Sequence, residues 1–309
     1  MEIDLLYLAD PSYGGWVTFT AHLIHQLISN GNTVRLFKIK ETKNHNSHYF
    51  GYGVYYSNIN ANQIKLLKNP IITAIDKNNY MWLKSLHGAK LVIHDPTELK
   101  AELLPELKYY KIITIRSTVK GLLQKEYNIE SKLIHHPFKP TAGIYSDTKS
   151  GAVSVSRIDF DKHTEIILMA NAELEGKIKI YGKVNTMYEY HKLKELAFRD
   201  SYYGEFDKTF KAINKILSPA KYMVDMSAIK KDGGGTQYTF LEAIDNDCVL
   251  ILNEKWFDNG VGELKPNYNC LTVKDHKDLI NIINGNKDYD EIRNNAENIL
   301  REHTGVEIL

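Results

Sequence analysis

The sequence predicts an α/β protein built as two Rossmann-like, doubly wound parallel-sheet domains facing a cleft. Three observations carry this. Short apolar runs alternate with stretches of helical period along nearly the whole chain, the pattern of a parallel sheet wrapped on both faces. At 309 residues the chain exceeds one ordinary core and suits two of roughly 150 residues each. Pro137 and Pro140, followed by polar and small residues from Thr141 to Gly151, interrupt the alternation midway. The predicted domains are residues 1–145 and 146–309.

The elements follow in order. Ile3 to Ala9 reads as a strand, and Gly14-Gly15 turns it into an amphipathic helix from Val17 to Ser29. Gly31 closes that helix, and Thr33 to Phe37 is the next strand. Further strands are expected at 71–74, 90–94, 111–115 and 131–134, with helices near 61–68, 80–87, 101–107 and 119–127. In the second half the strands fall at 152–156, 177–181, 222–226 and 249–253. Its helices fall at 164–172, 208–217, 238–245, 277–283 and 291–301.

Composition narrows the class. Hydrophobic residues are 43% and charged residues 25%, which fits a globular chain and argues against disorder. The 39 basic and 38 acidic residues give net +1, so bulk charge advertises no nucleic-acid partner, though a local basic cleft is compatible with it. Cys248 and Cys270 both lie in apolar surroundings and read as reduced core thiols, not as a disulfide. No apolar run approaches the roughly 18 residues of a membrane span. Acidic Glu2 and Asp4 replace the basic start of a signal peptide. The chain is therefore expected to be cytoplasmic.

Absent motifs exclude chemistry. No G-x-G-x-x-G follows the first strand, no G-x-x-x-x-G-K-[ST] occurs, and no G-x-S-x-G elbow appears. Histidine and cysteine spacings make no zinc site, and His22 and His25 read as helix-surface histidines. No metal is expected.

Four features point to a phosphorylated sugar ligand. The run Asp232-Gly233-Gly234-Gly235-Thr236 exposes backbone amides and feeds an apolar-faced helix through Tyr238 and Thr239, with Glu242 in its first two turns. Amides converging on a helix start form an anion site, although a glycine-rich loop before an ordinary helix would look the same. A carboxylate just inside that helix is placed to accept from ribose hydroxyls. Gly14 and Gly15 leave a strand-to-helix turn without side chains, which a ligand can approach closely, although an ordinary tight turn would look the same. Arg157 and Lys162 follow the first strand of the second domain and can oppose a diphosphate leaving group; exposed loop charges would share that spacing. His94-Asp95 ends an apolar strand, where a carboxylate can handle an acceptor hydroxyl, although Asp95-Pro96 is also a turn signal. Residues 100–139 hold eight Lys/Arg against four acidic residues, with tyrosines interleaved. Such a strip binds phosphate backbones, and a solvated helix face has the same composition.

Taken in order, these pieces resemble the retaining, nucleotide-sugar-dependent glycosyltransferases of the GT-B fold. Gly14-Gly15 with Leu23, Leu27, Gly31 and Val34 is similar to that family's opening loop and helix. His94-Asp95 resembles its strand-end His-Asp, and Arg157 and Lys162 its phosphate-binding pair. Glu242 in Phe240-Leu241-Glu242-Ala243 resembles the second Glu of its Glu-seven residues-Glu motif, while the first Glu is replaced by Gly234. A narrower branch shares that replacement: the DNA α-glucosyltransferases of T-even bacteriophages. Tyr238-Thr239-x-Leu241-Glu242 is similar to their corresponding helix, and Ile93-His94-Asp95 to their His-Asp.

The resemblance implies a UDP-sugar donor substrate and no cofactor. Donor contacts would come from Gly14, Gly15, Arg157, Lys162, Gly233, Gly234, Gly235, Thr236, Tyr238, Thr239 and Glu242. Asp95 or His94 would activate the acceptor hydroxyl. The acceptor implied by the narrower branch is a 5-hydroxymethylated pyrimidine in duplex DNA, reached by Arg116, Lys120 and Lys125 in the host cytoplasm of a bacteriophage. Synthesis of a cell-surface or capsular glycan, and non-catalytic nucleotide-sugar binding, are the alternatives. Sugar identity and oligomeric state are not legible in the residues.

Overall fold

The structure, a computed structural model, describes every residue except 11–13, 41–45, 142–147, 177, 229–234, 259, 261, 286 and 309. The chain divides into two compact units. The first is Met1–Lys139 with Glu302–Leu309, and the second is Pro140–Arg301. The chain therefore passes between units at 139/140 and returns at 301/302; the 145/146 boundary expected from composition falls outside the described residues.

The first unit is built on an eight-stranded sheet in the order β3-β4-β2-β1-β5-β6-β7-β8. Its strands are β1 (Glu2–Leu8), β2 (Thr33–Ile39), β3 (Ser47–Gly51), β4 (Val54–Ile59), β5 (Ile71–Ile75), β6 (Lys90–Ile93), β7 (Lys111–Thr114) and β8 (Lys132–Leu133). All pairings are parallel except β3 with β4. Ile3 to Leu8 are buried, as expected of a central strand covered on both faces. β1 lies between β2 and β5, so the strand order reverses beside it, which in such sheets is where ligands bind, beyond the carboxyl ends.

Helix α1 (Gly14–Ser29) packs on one face and ends at Gly31, whose φ of +78° suits glycine. His22 is not on its surface. It is fully buried, stacks on Phe138 at 4.7 Å and accepts the Lys139 N–H at 2.9 Å. Burial pushes its pKa down to about 3. Gln26, also buried, donates to the carbonyls of Phe138 (2.7 Å) and His303 (2.6 Å), tying both chain crossings to α1.

Three expected helices are tighter 3₁₀ segments, Ala61–Leu66, Lys77–Leu86 and Leu104–Tyr109. Only α2 (Ser117–Tyr127) follows the α form among the later helices of this unit. The β3–β4 hairpin was not foreseen. Its turn places Tyr52 at φ 53° and Gly53 at φ 78°, the left-handed pair that a tight hairpin requires.

The second unit carries a five-stranded parallel sheet in the order β10-β9-β11-β12-β13. The strands are β9 (Ala152–Val155), β10 (Lys179–Tyr181), β11 (Tyr222–Asp225), β12 (Val249–Asn253) and β13 (Leu271–Val273). Here β9 has neighbours on both sides and marks the reversal. Helices at Thr164–Asn171 (α3), Phe210–Leu217, Tyr238–Asp245, His276–Asn284 and Asp290–His303 complete it. Ile167, Leu168, Ile180, Val224, Ile251 and Leu279 form part of its core. Cys248 and Cys270 are buried and free, and burial pushes both thiols up to about 12. No described helix is long and apolar enough to cross a membrane.

Candidate active site

In the second unit the predicted donor residues gather at the carboxyl ends of β9 and β11. Lys162 sits on the 3₁₀ turn Phe160–Lys162 after β9 and is only 6% exposed. Its Nζ donates to Ser227 Oγ at 2.7 Å and Gln237 Oε1 at 3.2 Å, and lies 3.8 Å from the buried Asp225 carboxylate that ends β11. A buried ammonium needs such a counter-charge, because desolvation otherwise costs several kcal/mol.

Gln237 is the N-cap of the Tyr238–Asp245 helix, and its own side chain makes no cap hydrogen bond. That helix start lies beside a buried cation, a combination that suits an anion. Among the described residues, Asp225 Oδ2, Gln237 Nε2 and Thr239 Oγ1 are buried without hydrogen-bond partners. Glu242, one turn into the helix, is buried.

The remaining donor residues differ from expectation in several ways. Arg157 does not share the inward direction of Lys162. Its side chain is 61% exposed and pairs with Asp159 at 2.9 Å and Asp161 at 3.2 Å, bracing its own loop. Thr236 is buried, with its hydroxyl donated to Glu263. Gly235 is held by Trp256, whose indole N–H donates to its carbonyl at 3.1 Å. Tyr238 is buried in the first turn of the helix. Gly233 and Gly234 lie outside the described residues.

In the first unit His94 and Asp95 follow β6. His94 is buried, and its Nε2 donates to the Thr73 carbonyl at 2.7 Å, which fixes the tautomer. Burial pushes its pKa down to about 4, and the Arg116 charge adds to that. The imidazole is thus neutral and engaged, which disfavours His94 as the acting base. Asp95 is half-buried and accepts from the Thr97 main-chain N–H at 2.8 Å and from the Thr97 hydroxyl.

Sequence reasoning missed Glu98. Its carboxyl is buried and accepts the Trp16 indole N–H at 2.9 Å and the His94 main-chain N–H at 3.1 Å. Burial, then the neighbouring Asp95 charge, hold its pKa well above the ordinary carboxylate range. Gly14 and Gly15 open α1 beside Trp16. A Cβ built on either glycine meets no atom within 4 Å, so packing does not demand glycine there. Of the predicted acceptor residues, Arg116 occupies the N-cap position of α2 without a side-chain cap hydrogen bond, while Lys120 and Lys125 are exposed on its surface.

Solved structures with the same architecture span almost all of this chain. The T4 α-glucosyltransferase, in complex with UDP and a 13-mer DNA containing an HMU base, superposes with a TM-score of 0.72 at 13% identity, over 98% of this chain and 95% of that one. The chain has the GT-B fold. HepE of Anabaena, in complex with UDP and glucose, matches at a TM-score of 0.66 and 12% identity, over 98% of this chain and 95% of that chain. The pneumococcal O-GlcNAc transferase GtfA, with UDP and GlcNAc, matches at 0.65 and 11%, over 97% and 95%. No protein-family model matches the sequence, and no curated protein does. At such identities the GT-B likeness is one of fold.

Proposed function

We propose that the protein is a glycosyltransferase that moves a sugar from a UDP-linked donor to an acceptor hydroxyl. The observation that carries this is the buried Lys162 at the start of the Tyr238–Asp245 helix, with Glu242 one turn further in. Cation and amides oppose a diphosphate, and the carboxylate accepts from ribose hydroxyls. The GT-B neighbours holding UDP support the same assignment. As the bond from the anomeric carbon to the diphosphate oxygen breaks, UDP leaves with the electron pair, and Lys162 and the helix start stabilise its growing charge. The acceptor oxygen bonds to the anomeric carbon, and its proton passes to Asp95. His94, already bonded to Thr73, orients this strand end. Gly14 and Gly15 remain proposed donor contacts, since packing alone does not require glycine at either. Retention of configuration is the stereochemical outcome proposed.

The acceptor proposed first is a 5-hydroxymethylated pyrimidine in duplex DNA, with Lys120 and Lys125 contacting phosphates. A glycan acceptor is the second reading. It is favoured by the exposed cross-strand pair Tyr49 and Tyr55, rings 5.4 Å apart, on a hairpin whose residues 46–60 include no Lys, Arg, Asp or Glu.

The test is turnover of UDP-glucose and UDP-GlcNAc with hydroxymethylcytosine DNA, hydroxymethyluracil DNA, unmodified DNA and free hexoses. Transfer to hydroxymethylated DNA alone, weakened at every sequence by Lys120→Glu with Lys125→Glu, would support the DNA acceptor. Transfer to hexoses alone would replace it with the second reading. Donor binding with no transfer to any acceptor and no hydrolysis would point to a binding protein.

A further inference from the structure

We propose that Glu98 is a positioning residue for glycosyl transfer, holding the glycine turn at the start of α1 and the Asp95 strand end in one fixed arrangement. This rests on the donor and acceptor roles proposed above.

The geometry is specific. The two oxygens of one buried carboxyl serve two separate segments. Oε1 takes the indole N–H of Trp16, which directly follows Gly14-Gly15, and Oε2 takes the main-chain N–H of His94, which directly precedes Asp95. Trp16 and Glu98 are 82 positions apart in sequence, so no local contact sets the spacing of the α1 start from the β6 end. The link is also braced. The Glu98 main-chain N–H donates to the Asp95 carbonyl at 3.2 Å, and its own carbonyl accepts from the Lys100 N–H at 2.9 Å. Tyr80 donates its hydroxyl to that carbonyl at 3.3 Å. The His94 ring closes the arrangement, edge-on to Phe19 at 4.7 Å and 6.0 Å from Trp16.

A carboxyl is a costly way to fasten two segments. The charge acting most strongly on it is Asp95, which is also negative. An apolar side chain would fill the space without that cost. What apolar packing lacks is direction: two N–H groups aimed at two oxygens fix angle as well as distance. Transfer depends on placing a hydroxyl within a fraction of an ångström of the sugar, which gives such direction a use.

The experiment compares Glu98→Ala, Glu98→Gln, Trp16→Phe and the Glu98→Ala/Trp16→Phe pair in the full chain. Readouts are UDP affinity by calorimetry, UDP release from UDP-glucose and UDP-GlcNAc with hydroxymethylcytosine DNA or water as acceptor, and the Trp16 indole N–H resonance. Glu98→Ala is expected to lower kcat per folded molecule by about tenfold or more while UDP affinity stays within about threefold. Trp16→Phe should give a comparable loss, the pair should be no worse than the worse single variant, and the indole resonance should move in Glu98→Ala. Glu98→Gln should recover part of the rate, since one amide oxygen still accepts one N–H. An unchanged kcat in folded Glu98→Ala, losses that add, or UDP affinity falling in step with kcat would each overturn the positioning role. If the wild type releases UDP from neither donor, the functional reading fails and takes this inference with it. If the wild type is active and the variants match it, only this inference fails.

Discussion

The two units place opposite chemistry at equivalent points of the same architecture. Each has a sheet, parallel but for the β3–β4 pair of the first, whose order reverses beside its first strand, and each gathers polar side chains beyond its strand ends. In the second unit that place holds a buried ammonium, Lys162, and a helix start. In the first it holds two carboxyls, Asp95 and Glu98, around an imidazole kept neutral by burial. A doubly wound sheet thus fixes where a ligand goes but not its charge. The turn residues after the strands decide that: one set is cationic, the other acidic.

Variants can break this contrast. Asp95→Asn should have the largest effect, lowering transfer by roughly 10²–10⁴-fold with UDP affinity unchanged. Calorimetry beside a turnover assay checks it, and lost UDP binding with intact transfer would reverse the roles of the two units. Lys162→Met comes next. It strands the buried Asp225 carboxylate and should cost about 3–5 kcal/mol in urea denaturation, as well as weakening UDP binding. Adding Asp225→Asn should recover much of the stability but not the UDP affinity; recovery of both would make Lys162 purely structural. Glu242→Ala should weaken UDP-sugar binding by about 1.5–3 kcal/mol, through loss of charged hydrogen bonds to ribose. Unchanged affinity would remove Glu242 from the donor site.

The smallest effects concern pH and sharpen the first unit alone. His94 titrates near 6.5 when unfolded and near 4 when folded, so its contribution to stability is present above 6.5 and lost as pH falls towards 4. Glu98 runs the other way. Its raised folded pKa gives stability present below about 4.5 and lost as pH rises through the folded value. Each group should tilt the curve by at most about 1.4 kcal/mol per pH unit inside its window. Denaturation midpoints should therefore fall less steeply below pH 6.5 in His94→Gln, and less steeply above pH 4.5 in Glu98→Gln. A Glu98→Gln profile parallel to wild type would show that Glu98 keeps its proton equilibrium on folding.

Much of the fold was legible locally. The Tyr238–Asp245 helix and the Val249–Asn253 strand were read residue for residue, because their apolar patterns are strong and their ends carry turn residues. The 3₁₀ segments were read as ordinary helices. Asn60 and Asp76 start two of them with genuine N-cap hydrogen bonds, which signal a helix start without setting its pitch. The β3–β4 hairpin was missed because tyrosines, serines and asparagines blur the alternation of Val54 to Ile59, and Tyr52-Gly53 was not read as its turn.

Sequence alone determined the alternation of strand and helix, the break in the pattern after Pro137, and the strand-end placement of His94-Asp95, Arg157 and Lys162. These rest on periodicity and turn chemistry, which act between residues a few positions apart. Tertiary structure decided which of those charges is buried and what each one faces. It turned Lys162 inward to Ser227 and Gln237 while Arg157 stayed outside with Asp159 and Asp161, and it drew Trp16 onto Glu98. Burial and pairing of polar groups depend on segments distant in the chain meeting in space, and no local pattern records such a meeting.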